Sequence, residues 1–343
     1  MANFTPSNLV AAQALFSERF QAGEWRLPDS VALRSAIMGG IANPELAAIR
    51  TREDRTVYAY FPIRQAATNG TARAHAHTGA RGDSAAATLS WSTFSEPFSV
   101  SIKQGDNNVM SLMEMYAAAQ RNAALNLLAR LDAAFVAALV ADKTQVNAGG
   151  GNGTFNANDD VYEVPALEKD YFFQNAKATM EYNLFGGQIF GVIDDKAKIL
   201  AQRLGAQGAA NAVNTVFQFA GMDLFPTTRT VLGTGYLGSG VFFEAGLAAF
   251  IPWIPVQNRK ALDPVGALSY NGDWGQITIP GIDIPFAVHS YAVRADNSSA
   301  NNGQTQDLTI NVELSIDMAY VSAPLSALRG SNDSVIYAVG QLS

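Results

Sequence analysis

The run Leu308-Thr309-Ile310-Asn311-Val312-Glu313-Leu314-Ser315-Ile316-Asp317-Met318-Ala319-Tyr320 alternates without a slip. Leu308, Ile310, Val312, Leu314, Ile316, Met318 and Tyr320 share one face, and Thr309, Asn311, Glu313, Ser315, Asp317 and Ala319 share the other. A period of two is the mark of a strand with one face buried. At about 3.3 Å per residue the run spans roughly 43 Å, longer than most globular strands.

A second feature of similar span lies upstream. Residues 109–142 contain neither Gly nor Pro, and Leu128, Leu131, Phe135 and Leu139 recur at three and four, which predicts one helix about 50 Å long. Asp106-Asn107-Asn108 offers N-caps, and Asn147 with Gly149-Gly150-Gly151-Asn152-Gly153 marks a turn at the far end. One very long helix and one very long strand predict a flat, elongated layer in which the helix lies along a sheet. The fold class is mixed, α+β.

Between these two features, residues 168–182 read as helix and Gln188 to Ile193 as a short buried strand. Asp194-Asp195 then cap a helix running to about Leu204, a strand-then-helix order typical of an α/β region. Val216 to Phe219 and Ile277 to Val288 are strand-like pieces, and Ser239 to Phe250 reads as a short helix stopped by Pro252. At the start of the chain, Leu9, Ala12, Leu15, Phe16 and Phe20 predict a helix over residues 7–22. A second short helix follows Asp29 or Ser30 and stops at Gly39-Gly40. The first 50 residues hold too few apolar positions to fold alone, so they read as an arm that docks on something else.

From residue 55 the pattern turns to alternation, with Val57, Ala59, Phe61 and Ile63 on one side and Tyr58 and Tyr60 on the other. Residues 65–87 are mostly small, and a period of two resumes at Leu89, Trp91 and Thr93 and again at Phe98, Val100 and Ile102. This predicts a long hairpin with a small-residue tip, and such a loop of over 20 residues usually means function or disorder. Residues 50–82 hold six arginines (Arg50, Arg52, Arg55, Arg64, Arg73, Arg81) against Glu53 and Asp54, a net +4, while residues 259–343 hold four basic and eight acidic groups, a net −4. A basic hairpin and an acidic region on one chain can pair between copies; scattered solvated charge is the alternative.

Composition narrows the chemistry. The 343 residues carry 23 basic and 30 acidic side chains, a formal charge of −7, which argues against a large basic face for gripping nucleic acid. Charged residues are only 15% of the chain, against about 25% in an average protein, so much of the surface is neutral and suited to burial against other copies. There is no cysteine, which removes disulfides, thiolate metal sites and thiol nucleophiles. No basic-then-apolar leader opens the sequence and no run approaches about 18 uninterrupted apolar residues, so we read a soluble, unsecreted chain with no membrane partner. His75 and His77 alternate on a strand pattern without an acidic cluster nearby, and His289 stands apart. No catalytic group, metal site or cofactor is therefore assigned. No phosphate-binding glycine loop occurs, and Arg81-Gly82-Asp83 is a string short enough to recur by chance.

The order of arm helix, long two-stranded excursion, gap-free spine helix, α/β region and final long strand resembles the major capsid protein of tailed bacteriophages, the Hong Kong 97 fold. Three local matches sharpen the resemblance: Gln188-Ile189-Phe190-Gly191-Val192-Ile193-Asp194-Asp195 before a helix, Gly221-Met222-Asp223-Leu224-Phe225-Pro226-Thr227-Thr228, and Glu313 to Pro324. The resemblance implies an N-arm over 1–50, an E-loop hairpin over 51–105, a spine helix and P-domain start over 106–160, an A-domain over 161–305, and a P-domain return strand with the C-terminus over 306–343. It implies hexamers and pentamers closing into an icosahedral shell around packaged double-stranded DNA, held by weak non-specific contact. Scaffold, portal and cement or decoration proteins are its further implied partners, with the virion as location and the host cytoplasm as the place of assembly. Arg64, Arg73, Arg81 and Trp91 are the expected subunit-interface residues. Residues 50–102 contain no Lys, so the covalent lysine crosslink of some relatives is not expected. Two other readings remain at this stage: an encapsulin shell enclosing protein cargo, which shares the fold, and a soluble α/β hydrolase-like enzyme, which would need a deep pocket with a perturbed acid or base.

Overall fold

The computed structural model describes residues 52, 54–63, 83–101, 112–145, 149–207, 217–229, 231–233, 235–254, 263–264, 272–278, 284–296, 306–324 and 334–343, with scattered positions between 14 and 49. Its described strands form three sheets.

The long alternating run forms β14 (Gln306–Ser322), 17 residues or roughly 56 Å. One of its edges pairs antiparallel with β3 (Ser90–Ser101) from Thr309↔Ser101 to Tyr320↔Ser90. The other edge is shared end to end by β13 (Pro285–Asp296), which pairs with residues 306–315, and β10 (Ala248–Trp253), which pairs with residues 317–322. β12 (Gly272–Thr278) and β11 (Asp263–Pro264) extend the sheet beyond β13. The predicted apolar row is buried: Ile310, Val312, Leu314, Ile316 and Met318 are each at most 2% exposed.

The predicted spine is α1 (Leu112–Ala141), 30 residues or about 45 Å. Its Leu127, Leu131, Phe135 and Leu139 are fully buried. Phe135 stacks on Phe250 of β10 at 5.8 Å and meets Tyr320 at 6.3 Å, while Tyr116 meets Phe98 of β3 at 5.4 Å. The helix therefore lies along the long sheet, as its length predicts. It is also long and apolar enough to cross a membrane by length and composition, with 50% of its most apolar window buried inside the fold. Burial against β3 and β14 accounts for that apolar character.

A seven-stranded mixed sheet forms the second body: β4 (Thr154–Asn156), β5 (Val161–Val164), β15 (Tyr337–Gln341), β9 (Gly238–Glu244), β6 (Ile189–Ile193), β8 (Met222–Pro226) and β7 (Phe217–Phe219), in that spatial order. A 3-10 turn (Ala166–Tyr171) leads into α2 (Phe172–Tyr182), and α3 (Asp195–Gln207) follows β6. Asp194 caps α3 as expected, its Oδ1 accepting the Ala197 N–H at 2.7 Å while its Oδ2 accepts the Ser239 hydroxyl at 2.6 Å. The glycine turn before β4 is required by packing. Gly150 and Gly151 have φ of 89° and 70°, and a Cβ on Gly151 would sit 2.6 Å from the Tyr162 hydroxyl.

Several expectations are corrected. Residues 239–250 are no helix: β9 and β10 run through them in two different sheets, joined by a turn in which Gly246 has φ 84°. A buried apolar run of this length reads equally well as helix or strand, and Pro252 suits a strand that, among the described residues, has no partner on its outer edge. The piece at 277–288 is two strands, β12 and β13, paired as a hairpin. Residues 89–102 hold one strand rather than two, and Val57 precedes its strand and is exposed. In the described sheets β10 and β13 pair with β14, and β12 pairs with β13, while β15 inserts between β5 and β9. Of the arm helices, positions 14–15, 17–19 and 21 and positions 32–33 and 35 are helical. Residue 22 is a turn, and the remainder of 7–21, the caps at 106–108, Asn147, and the stops at 39–40 lie outside the described residues, as do His75, His77, Arg81 and Gly82.

Candidate assembly surfaces

The excursion is a separate two-stranded sheet. β1 (Tyr58–Ile63) pairs with β2 (Asp83–Thr88) from Tyr58↔Thr88 to Ile63↔Asp83 and with no third strand among the described residues. The alternation works as expected: Ala59 and Phe61 are buried, and Tyr58 and Tyr60 are each 50% exposed on the opposite face. There the two tyrosines stand beside Thr88 and Ala86, so the ribbon presents an aromatic ridge next to a row of short side chains. Strand pairing starts again at Asp83, six residues before the expected Leu89. Leu89 is instead the break between β2 and β3, its N–H donating to the Val57 carbonyl at 2.7 Å.

Below that break, one polar and aromatic cluster anchors the ribbon. The Trp91 indole N–H donates to the Thr56 carbonyl at 2.7 Å, and Trp91 meets Trp253 edge to face at 6.3 Å. Trp253 donates to the Arg52 carbonyl at 3.1 Å, and the Arg55 guanidinium lies over its ring at 5.5 Å. Arg55 also pairs with Asp317 at 3.5 Å, whose Oδ1 accepts the Thr93 hydroxyl at 2.6 Å. Trp91 is thus held within its own chain, half-buried, as part of the ribbon's base. Arg64, Arg73 and Arg81 lie outside the described residues.

A second exposed apolar area was missed from the sequence. Leu167 is 98% exposed on the 3-10 turn, Ile199 is 65% exposed on α3, and Tyr171 and Leu237 are also largely exposed. Two bonds bring these elements together: Arg203 to Asp170 at 2.6 Å, and the Lys196 ammonium to the Tyr236 carbonyl at 3.1 Å. Lys196, Ile199 and Arg203 share one helix face by their three- and four-residue spacing. Leu167 and Ile199 are ordinary apolar residues in sequence, and only their neighbours' positions reveal them as surface.

Burial raises the Tyr116 and Tyr337 phenols, and burial with Glu163 pushes Tyr236 up to about 12. His289 is held below its ordinary value by burial, opposed by Glu313 across the strand pair, and its ring stacks on Tyr291 at 5.7 Å. Among the described residues no three His, Asp or Glu side chains group as a metal set.

No family model matches the chain, and no curated protein matches it. Among solved structures it is similar to the cyanophage A-1(L) capsid asymmetric unit, with 13% identity and TM-score 0.49 over 92% of this chain and 94% of that one. It is also similar to the capsid of a native GTA particle (12% identity, TM-score 0.43, 87% and 90% covered) and to a structure from Mycobacterium phage Bobi (14% identity, TM-score 0.43, 87% and 90% covered).

Proposed function

We propose that this chain is the repeating subunit of a virus shell: a major capsid protein of the tailed-phage type that assembles as hexamers and pentamers around double-stranded DNA. The observation that carries the reading is the tyrosine ribbon, a two-stranded sheet fixed at its base yet exposing large aromatic side chains along one face. A protein that stays a monomer gains nothing from presenting such a face, whereas a neighbouring copy would cover it. The Leu167–Ile199 area supplies a second apolar surface on the other body.

In this reading the P-domain comprises β3, α1 and β10 to β14, and the A-domain comprises β4 to β9 with β15. Residues 1–50 form an N-arm and β1–β2 the stem of the E-loop. Tyr58, Tyr60 and the hairpin arginines Arg64, Arg73 and Arg81 contact a neighbour, while Trp91 acts by directing the hairpin. Catalysis is not part of this role. Scaffold, portal and decoration proteins would join the shell from other genes, the DNA would be held only weakly by an acidic chain, and assembly would take place in the host cytoplasm.

Light-scattering mass measurement after size-exclusion chromatography tests this directly. The wild-type chain is expected as capsomers or larger, with Tyr58→Ser/Tyr60→Ser shifting it to folded monomers. A wild-type monomer at all concentrations, when co-expressed with its neighbouring genes, contradicts the reading. Nuclease-protected DNA in the particles separates a virus shell from one that encloses protein.

A further inference from the structure

Asp132 sits on α1, 1% exposed, and its two carboxylate oxygens serve different parts of the chain. Oδ1 accepts the backbone N–H of Leu33 at 2.9 Å. Residues 32, 33 and 35 are helical and fully buried. Asp132 thus ties the N-terminal segment to the spine through the Leu33 amide.

Oδ2 faces the segment that follows β8. The Thr227 hydroxyl donates to it at 3.4 Å, and the Arg229 Nε lies 3.5 Å away as an ion pair. That buried Nε–H makes no hydrogen bond, while Arg229 Nη2 donates to the Ala129 carbonyl at 2.6 Å. A buried carboxylate is costly unless its donors are all in place. Losing the cation on one side therefore weakens the acceptor seen by the amide on the other.

We propose that Asp132 is a two-sided clamp that couples docking of the N-terminal segment to the position of the Arg229 segment, so that displacing either loosens the other. The coupling is reciprocal and passes through one carboxylate. It holds whether or not the chain forms a shell.

Hydrogen exchange at the Leu33 amide in the full chain tests it, because among the described residues the hydrogen bonds and the ion pair of Arg229 go to Asp132, Thr227 and Ala129, not to Leu33. Arg229→Ala is expected to speed Leu33 exchange by about 5- to 150-fold, the usual span of such couplings, and Arg229→Lys is expected to restore most of the protection. The amides of Val192 and Phe242 in the seven-stranded sheet should keep their rates. In an Asp132→Asn background, where the charge is gone, Arg229→Ala should change Leu33 exchange little. Unchanged Leu33 exchange in Arg229→Ala overturns the proposal. So does equal acceleration at Leu33, Val192 and Phe242, which would show general loosening, and so does an undiminished effect in the Asp132→Asn background.

Discussion

Single side chains carry two sharp tests of the fold. Burial is the largest influence on Asp132 and raises its carboxyl above the ordinary range, against the opposing pull of the Leu33 and Ala32 amides, Arg229 and Thr227. Protonation of Asp132 is thus more favourable in the folded chain than in the unfolded one. Its contribution to stability is full below the unfolded pKa of about 3.9 and is lost as pH rises through the raised folded value. The melting temperature of Asp132→Asn minus that of wild type should therefore be more positive at neutral pH than near pH 4, measured on the unassembled chain. A difference that is flat, or that runs the other way, refutes the assignment. Phe135 is fully buried between the long sheet and the spine, stacked on Phe250; Phe135→Ala should cost about 3–5 kcal/mol in denaturant unfolding.

Among elements, the hairpin and its base make separable predictions. Trp253 supports Arg52, Arg55 and Trp91 together, so Trp253→Ala should destabilise the chain by about 3–5 kcal/mol. Arg73→Glu/Arg81→Glu should leave its melting temperature unchanged while impairing assembly, read by sedimentation; normal particles would sink the idea of charge pairing between copies. How far the elements were legible follows from the strength of their patterns. Residues 308–320 and the gap-free stretch 109–142 repeat one period over many turns or pleats, so β14 and α1 appear with little error. The run Val241-Phe242-Phe243 is buried on both faces and has no period to show, which is why β9 and β10 were misread as a helix. Nor could the sequence show that Trp91 would face Trp253 or that Leu167 would lie beside α3, since both depend on long-range pairing. Asp132 gave no signal either, being one acid on an otherwise apolar helix.

At the scale of the whole molecule, the two large sheets share one chain that crosses between them through α1, at residues 245–247, and again between β14 and β15. The spine lies along β14 in one body, the ribbon extends from β3, and the Leu167–Ile199 area lies on the body of the seven-stranded sheet, so exposed apolar surface stands at separate places. In the proposed role, surfaces placed apart on one subunit would make head-to-tail contacts, which close into rings or continue into larger assemblies. Electron microscopy of the purified chain, negatively stained, tests that claim most directly. Closed particles, tubes or capsomer rings are the predicted result. Uniform single subunits, persisting when the chain is expressed with its neighbouring genes, would contradict it.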